Sequence, residues 1–362
     1  MNILWFSGRK MADLCSTTQK SLATGLVDKG HKLTFINPDD EGTHSAYPWI
    51  HQSISSSSSP GLKSASLAKN MRKWLEKNPP PESSVAILDW RVASSLTKTL
   101  NSQSTPWILI DRSPPADDNI LAKLQWYFWK RAWNLVRTEG KIGCVVSDSH
   151  REFVANHTNL SKQSIIIIPA GVDTQQFTIG VKSMPIKLCY HGRLDSNRDI
   201  LSLVEIHSKL LDLGVDTELY LHGSGNLYSK LSSYENENIY LTESLDIDTL
   251  SNALTSYDVG FLPMPDEKIW RLASPLKRAE YLASGMIVVG TNHSGHQIEE
   301  SGDWLVLFNE QTYIQDSVRY IQNLAYDRLN QLQIEARQYA IEKLDWSKSV
   351  EILHEILSKQ SS

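Results

Sequence analysis

The sequence has little cysteine, no long hydrophobic run and no excess of positive charge, and each absence excludes something. Its three cysteines, Cys15, Cys144 and Cys189, stand far apart with no CxxC pair. That argues against a disulfide framework or a cysteine zinc site and suits a reducing compartment. No stretch approaches the roughly 18 apolar residues that span a bilayer. The opening MNILWFSGR has too short an apolar run for a secretory signal and reads as a first strand entering a loop. The expected location is cytoplasmic, with attachment to the inner face of a membrane left open. A net charge of −5 excludes a general nucleic-acid binder, which would be basic. What remains is globular composition, 41% hydrophobic and 21% charged over 362 residues, enough for two cores.

Apolar runs at 2–6, 32–36, 85–88, 107–110, 142–146 and 165–168 carry no period-two alternation. Strands look like this when helices cover both faces of a parallel sheet. Between the first two runs, Leu14, Leu22 and Leu26 have helical spacing that stops at Gly30. Segments 53–60 (SISSSSSP) and 78–84 (NPPPESS) are of loop type. A second series begins near Lys187, with a strand at 186–190, a helix at 200–213 closed by Gly214, and strands at 218–221, 239–241, 259–262 and 287–289. Two successive β/α halves of like layout predict an α/β protein of two Rossmann-like, doubly wound domains, 1–178 and 179–345, facing an interdomain cleft. In open α/β sheets ligands bind beyond the carboxyl ends of the strands, so the loops after the strands hold the candidates.

The most informative loop leads into 274–285, SPLKRAEYLASG. Ser274 before Pro275 before a helical pattern reads as an N-cap followed by proline at the first helical position. The free N–H groups of Leu276 and Lys277 then form a positive helix end, a ready seat for phosphate. Glu280 shares a face with Lys277 about a turn deeper, where a carboxylate can accept both hydroxyls of a ribose. The plain alternative is a capped helix with a solvated glutamate. In 191–198, HGRLDSNR, Arg193 and Arg198 set two guanidinium groups around a strand–loop–helix turn. Such a pair suits a diphosphate, and two surface arginines are the alternative. His222-Gly223-Ser224-Gly225-Asn226 follows another strand, and its glycines permit close backbone approach to a base or phosphate. Half a GxGxxG is a weak sign.

In order along the chain, these pieces resemble the retaining GT-B glycosyltransferases of glycosyltransferase family 4, the glycosyl transferases group 1. IPAGVDTQQF at 168–177 looks like the family's IPNGVDxxxF hinge, with Ala170 for the usual Asn. The 191–198 stretch is similar to GRLxxxK with Arg198 at the lysine position, and 274–285 is similar to SPLKxxEYxAxG. LDWS at 344–347 resembles the element that starts a last helix, here 346–362, which in the family crosses back to the N-terminal domain. The match covers most of 140–350; the first 130 residues match only in layout. The resemblance implies that Arg193 and Arg198 neutralise the diphosphate of a nucleotide-sugar donor. Ser274, Pro275, Leu276 and Lys277 hold it by amides, and Glu280 binds the ribose. Glu243, Ser244 and Leu245 lie where the family contacts the base, beside Gly223, Ser224 and Gly225. Many members have a first glutamate eight residues before Glu280; here that position is Leu272, with Trp270 and Arg271 as nearby substitutes at the sugar. The implied chemistry is same-face attack with the leaving phosphate taking the acceptor proton, without protein nucleophile, metal or further cofactor. Asp246-Ile247-Asp248 matches DxD, a pattern too common to indicate metal.

The N-terminal half should supply the acceptor site. Ser7, Gly8 and Arg9 follow the first strand, and a small residue there lets donor or acceptor approach the backbone. Asp111 and Arg112 follow the 107–110 run and are candidates for contact with the transferred sugar or acceptor, a loop-bracing salt bridge being the alternative. Asp89-Trp90-Arg91 is a similar strand end, and His150 reads as a helix-start residue rather than a base. Between Asn119 and Lys141, Trp126, Phe128, Trp129 and Trp133 stand beside Lys123, Lys130, Arg131 and Arg137. That suits either an interfacial helix on anionic lipid or a domain helix with its tryptophans inward and its cations in water. The expected activity is hexosyl transfer from a UDP- or GDP-sugar to a glycan or lipid-linked acceptor. A non-catalytic nucleotide-sugar-binding subunit and a GT-B epimerase stay as alternatives. A nicotinamide dehydrogenase is disfavoured, because the first strand leads into SGRKMADL and not GxGxxG.

Overall fold

The computed structural model describes the chain apart from residues 13–15, 58–62, 116–119, 183 and 362 and the side chains of 120–122. Cys15, Leu14 and Asn119 therefore lie outside the described residues. The chain divides into two compact units, Met1–Pro169 with Trp346–Ser362, and Ala170–Asp345.

In the first unit, β1 (Asn2–Phe6), β2 (Lys32–Asn37), β3 (Ile50–Ser53), β4 (Ser84–Asp89), β5 (Trp107–Ile110), β6 (Gly143–Val145) and β7 (Ile165–Ile167) form a parallel sheet. Their order is β3-β2-β1-β4-β5-β6-β7. Leu4, Phe6, Leu88 and Leu109 pack into one helical layer, and Ile3, Trp5, Phe35, Ile87 and Ile108 into the other. Both faces are dry, which is why these runs read as continuously apolar. Helix Trp346–Ser361 completes the second layer, setting Val350, Leu353, Ile356 and Leu357 among Leu22, Ala23 and Leu26 of helix Ser16–Asp28. The two helices touch closely: a Cβ at Gly25 would lie 2.4 Å from Val350 Cγ2.

In the second unit, β8 (Ile186–Arg193), β9 (Thr217–Ser224), β10 (Ile239–Thr242), β11 (Val259–Leu262), β12 (Ile287–Thr291) and β13 (Leu305–Phe308) make another parallel sheet, ordered β10-β9-β8-β11-β12-β13. The order reverses between β8 and β11, so the crevice beyond their carboxyl ends is the topological switch point. The unit begins at Ala170, earlier than the boundary at 178 expected from the sequence. The reason is a local seam: Val172 N–H donates to the Leu344 carbonyl at 2.9 Å, Thr174 Oγ1 donates to Asp345 Oδ2 at 2.6 Å, and Arg337 Nη2 donates to the Thr174 carbonyl at 2.6 Å.

Candidate functional site

At the end of β8 the chain is shaped by missing side chains. Gly192 has φ of +116°, and a Cβ there would lie 2.6 Å from Lys277 Cε, so the glycine makes the space through which Lys277 passes. Gly223 pairs with Gly192 across β8 and β9, and a Cβ on it would fall 1.7 Å from the Gly192 carbonyl oxygen. A Cβ on Gly225 would meet the Leu194 carbonyl at 2.3 Å. The last two glycines thus let backbone meet backbone, Gly223 between β8 and β9 and Gly225 in the turns that follow them.

Helix Leu276–Ala283 starts in this crevice. Its N-cap is Pro275, extended at φ −72° and ψ 123°, and no side chain caps it. Ser274 is not the cap expected of it: its hydroxyl oxygen accepts the Ala170 N–H at 3.1 Å. The first-turn amides are left without a side-chain partner, the open positive end that an anion needs. Beside them, Lys277 Nζ lies 5.4 Å from the centre of the Tyr190 ring. Burial, and then the charge of Arg198, push the Lys277 ammonium down to about 8. Arg198 lies with its guanidinium carbon 4.6 Å over the Trp270 ring, and its Nε is buried without a hydrogen-bond partner. The ion pairs around them are Arg193–Asp195 and Arg271–Asp266; Lys277 and Arg198 belong to none among the described residues.

Two expectations change here. Lys277 joins Arg198 as a second cation at this corner, while the Arg193 fork is taken by Asp195 through Nε (2.9 Å) and Nη2 (3.0 Å). That bond holds the Asp195 carboxyl below its ordinary range. Arg271 is likewise held, by Asp266 at 2.5 Å, and Leu272 is buried. Glu280 is buried with Oε2 3.1 Å from His191 Nε2, a neighbour the sequence reading missed. Only packing joins positions 191 and 280, as does the bond from His191 N–H to the Tyr281 hydroxyl at 3.1 Å. Below this face Arg278 is buried and donates to the carbonyls of Gly295, His296 and Gln297, and burial pushes it down to about 10. Glu243 and Ser244 are exposed and Leu245 packs on the core; Ser244 Oγ donates to Ser224 Oγ at 3.4 Å, setting the 243–245 loop beside the end of β9. Asp246 caps helix Ile247–Leu254 by accepting the Asp248 and Thr249 N–H groups, which accounts for its place in the DxD pattern. Among the described residues no cluster of three or more His, Cys, Asp or Glu side chains is placed to hold a metal ion.

In the first unit the strand-end candidates turn inward. Asp111 is fully enclosed, accepting from Trp129 Nε1 at 2.5 Å, Trp133 Nε1 at 3.0 Å and Ser113 N–H at 3.1 Å, with His150 Nε2 at 3.4 Å. Burial pushes its carboxyl up, but His150 and the two indoles outweigh that and leave it below its ordinary value. It braces the helix Ile120–Thr138 and is closed to solvent, the bracing alternative rather than contact with sugar or acceptor. Trp129 and Trp133 of that helix accordingly face the core, while Lys123, Lys130, Arg131 and Arg137 are exposed. Among the described residues no helix is long and apolar enough to cross a membrane. Ser7 is buried and accepts from Gln19 Nε2 at 3.2 Å, and Gly8 lies under Arg91, to whose Cβ its own would come within 3.0 Å. Arg9 and Arg112 donate to Ser113 Oγ (3.2 Å) and Thr18 Oγ1 (2.7 Å).

Residues 185–327, the body of the second unit, match the family model described as Glycosyl transferases group 1. No curated protein sequence matches the chain. The structure is similar to that of a glycosyltransferase from Rickettsia africae ESF-5, at 15% identity and a TM-score of 0.76, covering 99% of this chain and 98% of that one. It is also similar to sucrose-phosphate synthase from Thermosynechococcus elongatus, at 14% identity and a TM-score of 0.77 with the same coverage. A third similar structure is Anabaena Alr3699/HepE in complex with UDP-glucose, at 10% identity and a TM-score of 0.70, covering 99% of this chain and all of that one (100%).

Proposed function

We propose that this chain, a glycosyltransferase of the GT-B fold whose second unit carries a glycosyl transferases group 1 domain, transfers a hexose from a UDP- or GDP-sugar to a glycan or lipid-linked acceptor with retention at the anomeric carbon. One observation carries the reading: two cations in no ion pair among the described residues, Lys277 and Arg198, stand beside an uncapped helix start at the topological switch point. A diphosphate would satisfy the amides and both cations together. In this reading the amides of Leu276 and Lys277 and both cations grip the diphosphate, Glu280 takes the ribose hydroxyls, and the 243–245 loop faces the base. Arg193 exchanges Asp195 for phosphate, and Trp270, not Leu272 or Arg271, borders the sugar. The Anabaena relative holds UDP-glucose, which supports a uridine donor.

When the bond from the anomeric carbon to the diphosphate breaks, charge gathers on the leaving oxygen. Preorganised donors aimed at such an oxygen are each worth about 10²–10³ in rate. The acceptor hydroxyl attacks the same face, and its proton passes to the leaving phosphate, so the reaction balances without a protein nucleophile. The cations would do the neutralising that a divalent ion does elsewhere, so the proposal includes no metal. The exposed basic face of helix Ile120–Thr138 supports a lipid-linked acceptor at an anionic surface in the cytoplasm, as polysaccharide assembly would use.

A thermal-shift screen of UDP, GDP, ADP and their sugars tests the site. A ligand at 100 times its Kd adds about 2.7 kcal/mol, and Glu280→Ala and Arg198→Ala should each remove most of that gain. Unchanged binding in both variants overturns the assignment. Turnover with the product anomer read by NMR tests retention, and binding without turnover across a broad acceptor panel would favour a non-catalytic binding subunit.

A further inference from the structure

The first unit holds a pocket of about 320 Å³ where β2 gives way to β3, lined in part by His44, Tyr47, Trp49, His51 and Gln52. Its walls are fixed by hydrogen bonds that leave no choice of tautomer. Trp49 Nε1–H can only donate, and it donates to His44 Nδ1 at 3.0 Å, so His44 carries its proton on Nε2 and donates to Asp39 Oδ2 at 2.8 Å. Asp39 also accepts from Met11 N–H at 2.9 Å and Asn37 Nδ2 at 2.6 Å. The Asn37 amide oxygen is thereby turned to His51, whose Nε2–H donates to it at 2.8 Å. His51 Nδ1 is left as a bare acceptor. Burial, with the neighbouring His44, holds this imidazole below its ordinary pKa and so neutral.

The rest of the surface carries one charge of each sign: Glu41 lines it, and Lys20 Nζ lies 5.5 Å from the centre of the Tyr47 ring. The two imidazoles stack at 3.8 Å, and Tyr47 lies flat on Trp49 at 4.5 Å. The Tyr47 and Ser45 hydroxyls and the Gln52 amide oxygen have no hydrogen-bond partner among the described residues. Glu41 is the one acidic lining residue, and no lysine or arginine lines the pocket among the described residues. Glu41 offsets Lys20, so the pocket offers an anion no net counter-charge among the described residues. A neutral ring with an apolar face and hydroxyls that both donate and accept matches every unspent group. The same Asp39 and Asn37 hold the loop after β1, through Met11 N–H and through the Arg9 carbonyl at 3.2 Å, so pocket and loop form one braced piece. We propose that this pocket binds one neutral pyranose unit of the acceptor, with His51 Nδ1 accepting from a sugar hydroxyl and Tyr47 and Gln52 bonding its neighbours. The inference rests on the glycosyl-transfer reading for calling that sugar the acceptor, and the test separates the two.

Saturation-transfer NMR on the full chain with methyl glucoside, galactoside, mannoside and N-acetylglucosaminide, and with glucuronate as the charged control, reads the pocket directly. At least one neutral glycoside should receive saturation and shift the ¹⁵N resonance of His51 Nδ1, and glucuronate should do neither. His51→Ala should weaken that glycoside about tenfold and Tyr47→Phe a few-fold, with the UDP thermal shift intact in both. No transfer to any glycoside, or a glycoside that leaves the His51 resonance unmoved, overturns the proposal. Should His51→Ala fail to fold, the Tyr47→Phe and ¹⁵N readings still decide. Glycoside binding without UDP binding would remove the donor site and keep the pocket; UDP binding without glycoside binding would do the reverse.

Discussion

Replacing Lys277 by methionine keeps an unbranched apolar stem, one atom shorter, and removes its charge. The folded chain holds that ammonium at about 8 against 10.5 for a free lysine, a difference worth about 3 kcal/mol at 1.36 kcal/mol per unit. Below pH 8 the folded and unfolded chains both keep the proton, and the fold bears the whole cost. Between pH 8 and 10.5 the folded chain sheds the proton first, and above that the cost is gone. Lys277→Met should therefore raise the melting temperature of the second unit at pH 7 by roughly 5–10 °C, and the gain should vanish as the pH approaches 10. The same variant should lose most of the stabilisation by UDP, since the cost is the residue's reason for being there. Wild-type affinity should fall as pH rises through 8, because an anion binds the protonated lysine, while the variant's weak binding stays flat. Differential scanning calorimetry with and without UDP at pH 7 and 9.5 measures all of this. A variant that melts no higher than wild type at pH 7, or that still takes the full UDP shift, would refute the reasoning.

Asp111→Ala strands two buried indole N–H groups, each costing about 1–3 kcal/mol. It should lower the melting temperature of the first unit and leave UDP binding alone, which separates bracing from catalysis in one titration. Because the Asp111 carboxyl is held below its ordinary value of 3.8, its contribution is present above that pH and lost as the pH falls through the lower folded value; an acid melt of Asp111→Asn should show that loss missing. Gly223→Ala drives a methyl to 1.7 Å from a carbonyl oxygen and should give insoluble or protease-sensitive protein. Gly214→Ala, at φ +76° with nothing within 4 Å, should cost only about 1 kcal/mol of backbone strain.

How much was legible in the sequence depended on burial. β1, β5 and β11, dry on both faces, run over the very residues expected, since an unbroken apolar run has one good place in a parallel sheet. The edge strands β3 and β13 escaped notice, because an edge strand has little to bury. β8 and β9 each continue three residues past the expected end, into glycines that read as strand breakers and are in fact what lets the two strands touch. At the site, the helix start, Lys277 and Arg198 were visible as residue types at a spacing. Which groups were already engaged was not: Ser274 by Ala170, Asp111 by two indoles. Those are contacts of folding, and local pattern carries no trace of partners 18 or 104 residues away.

Helix Trp346–Ser361 belongs to the first unit although every residue of the second precedes it. On the ribosome, then, the flank of the first sheet bearing Leu22, Ala23 and Leu26 stays uncovered while residues 170–345 are made and collapse. The usual order of birth is inverted: the later unit can mature first, and the earlier one waits as an open-faced intermediate whose bare apolar layer is a natural client for chaperones.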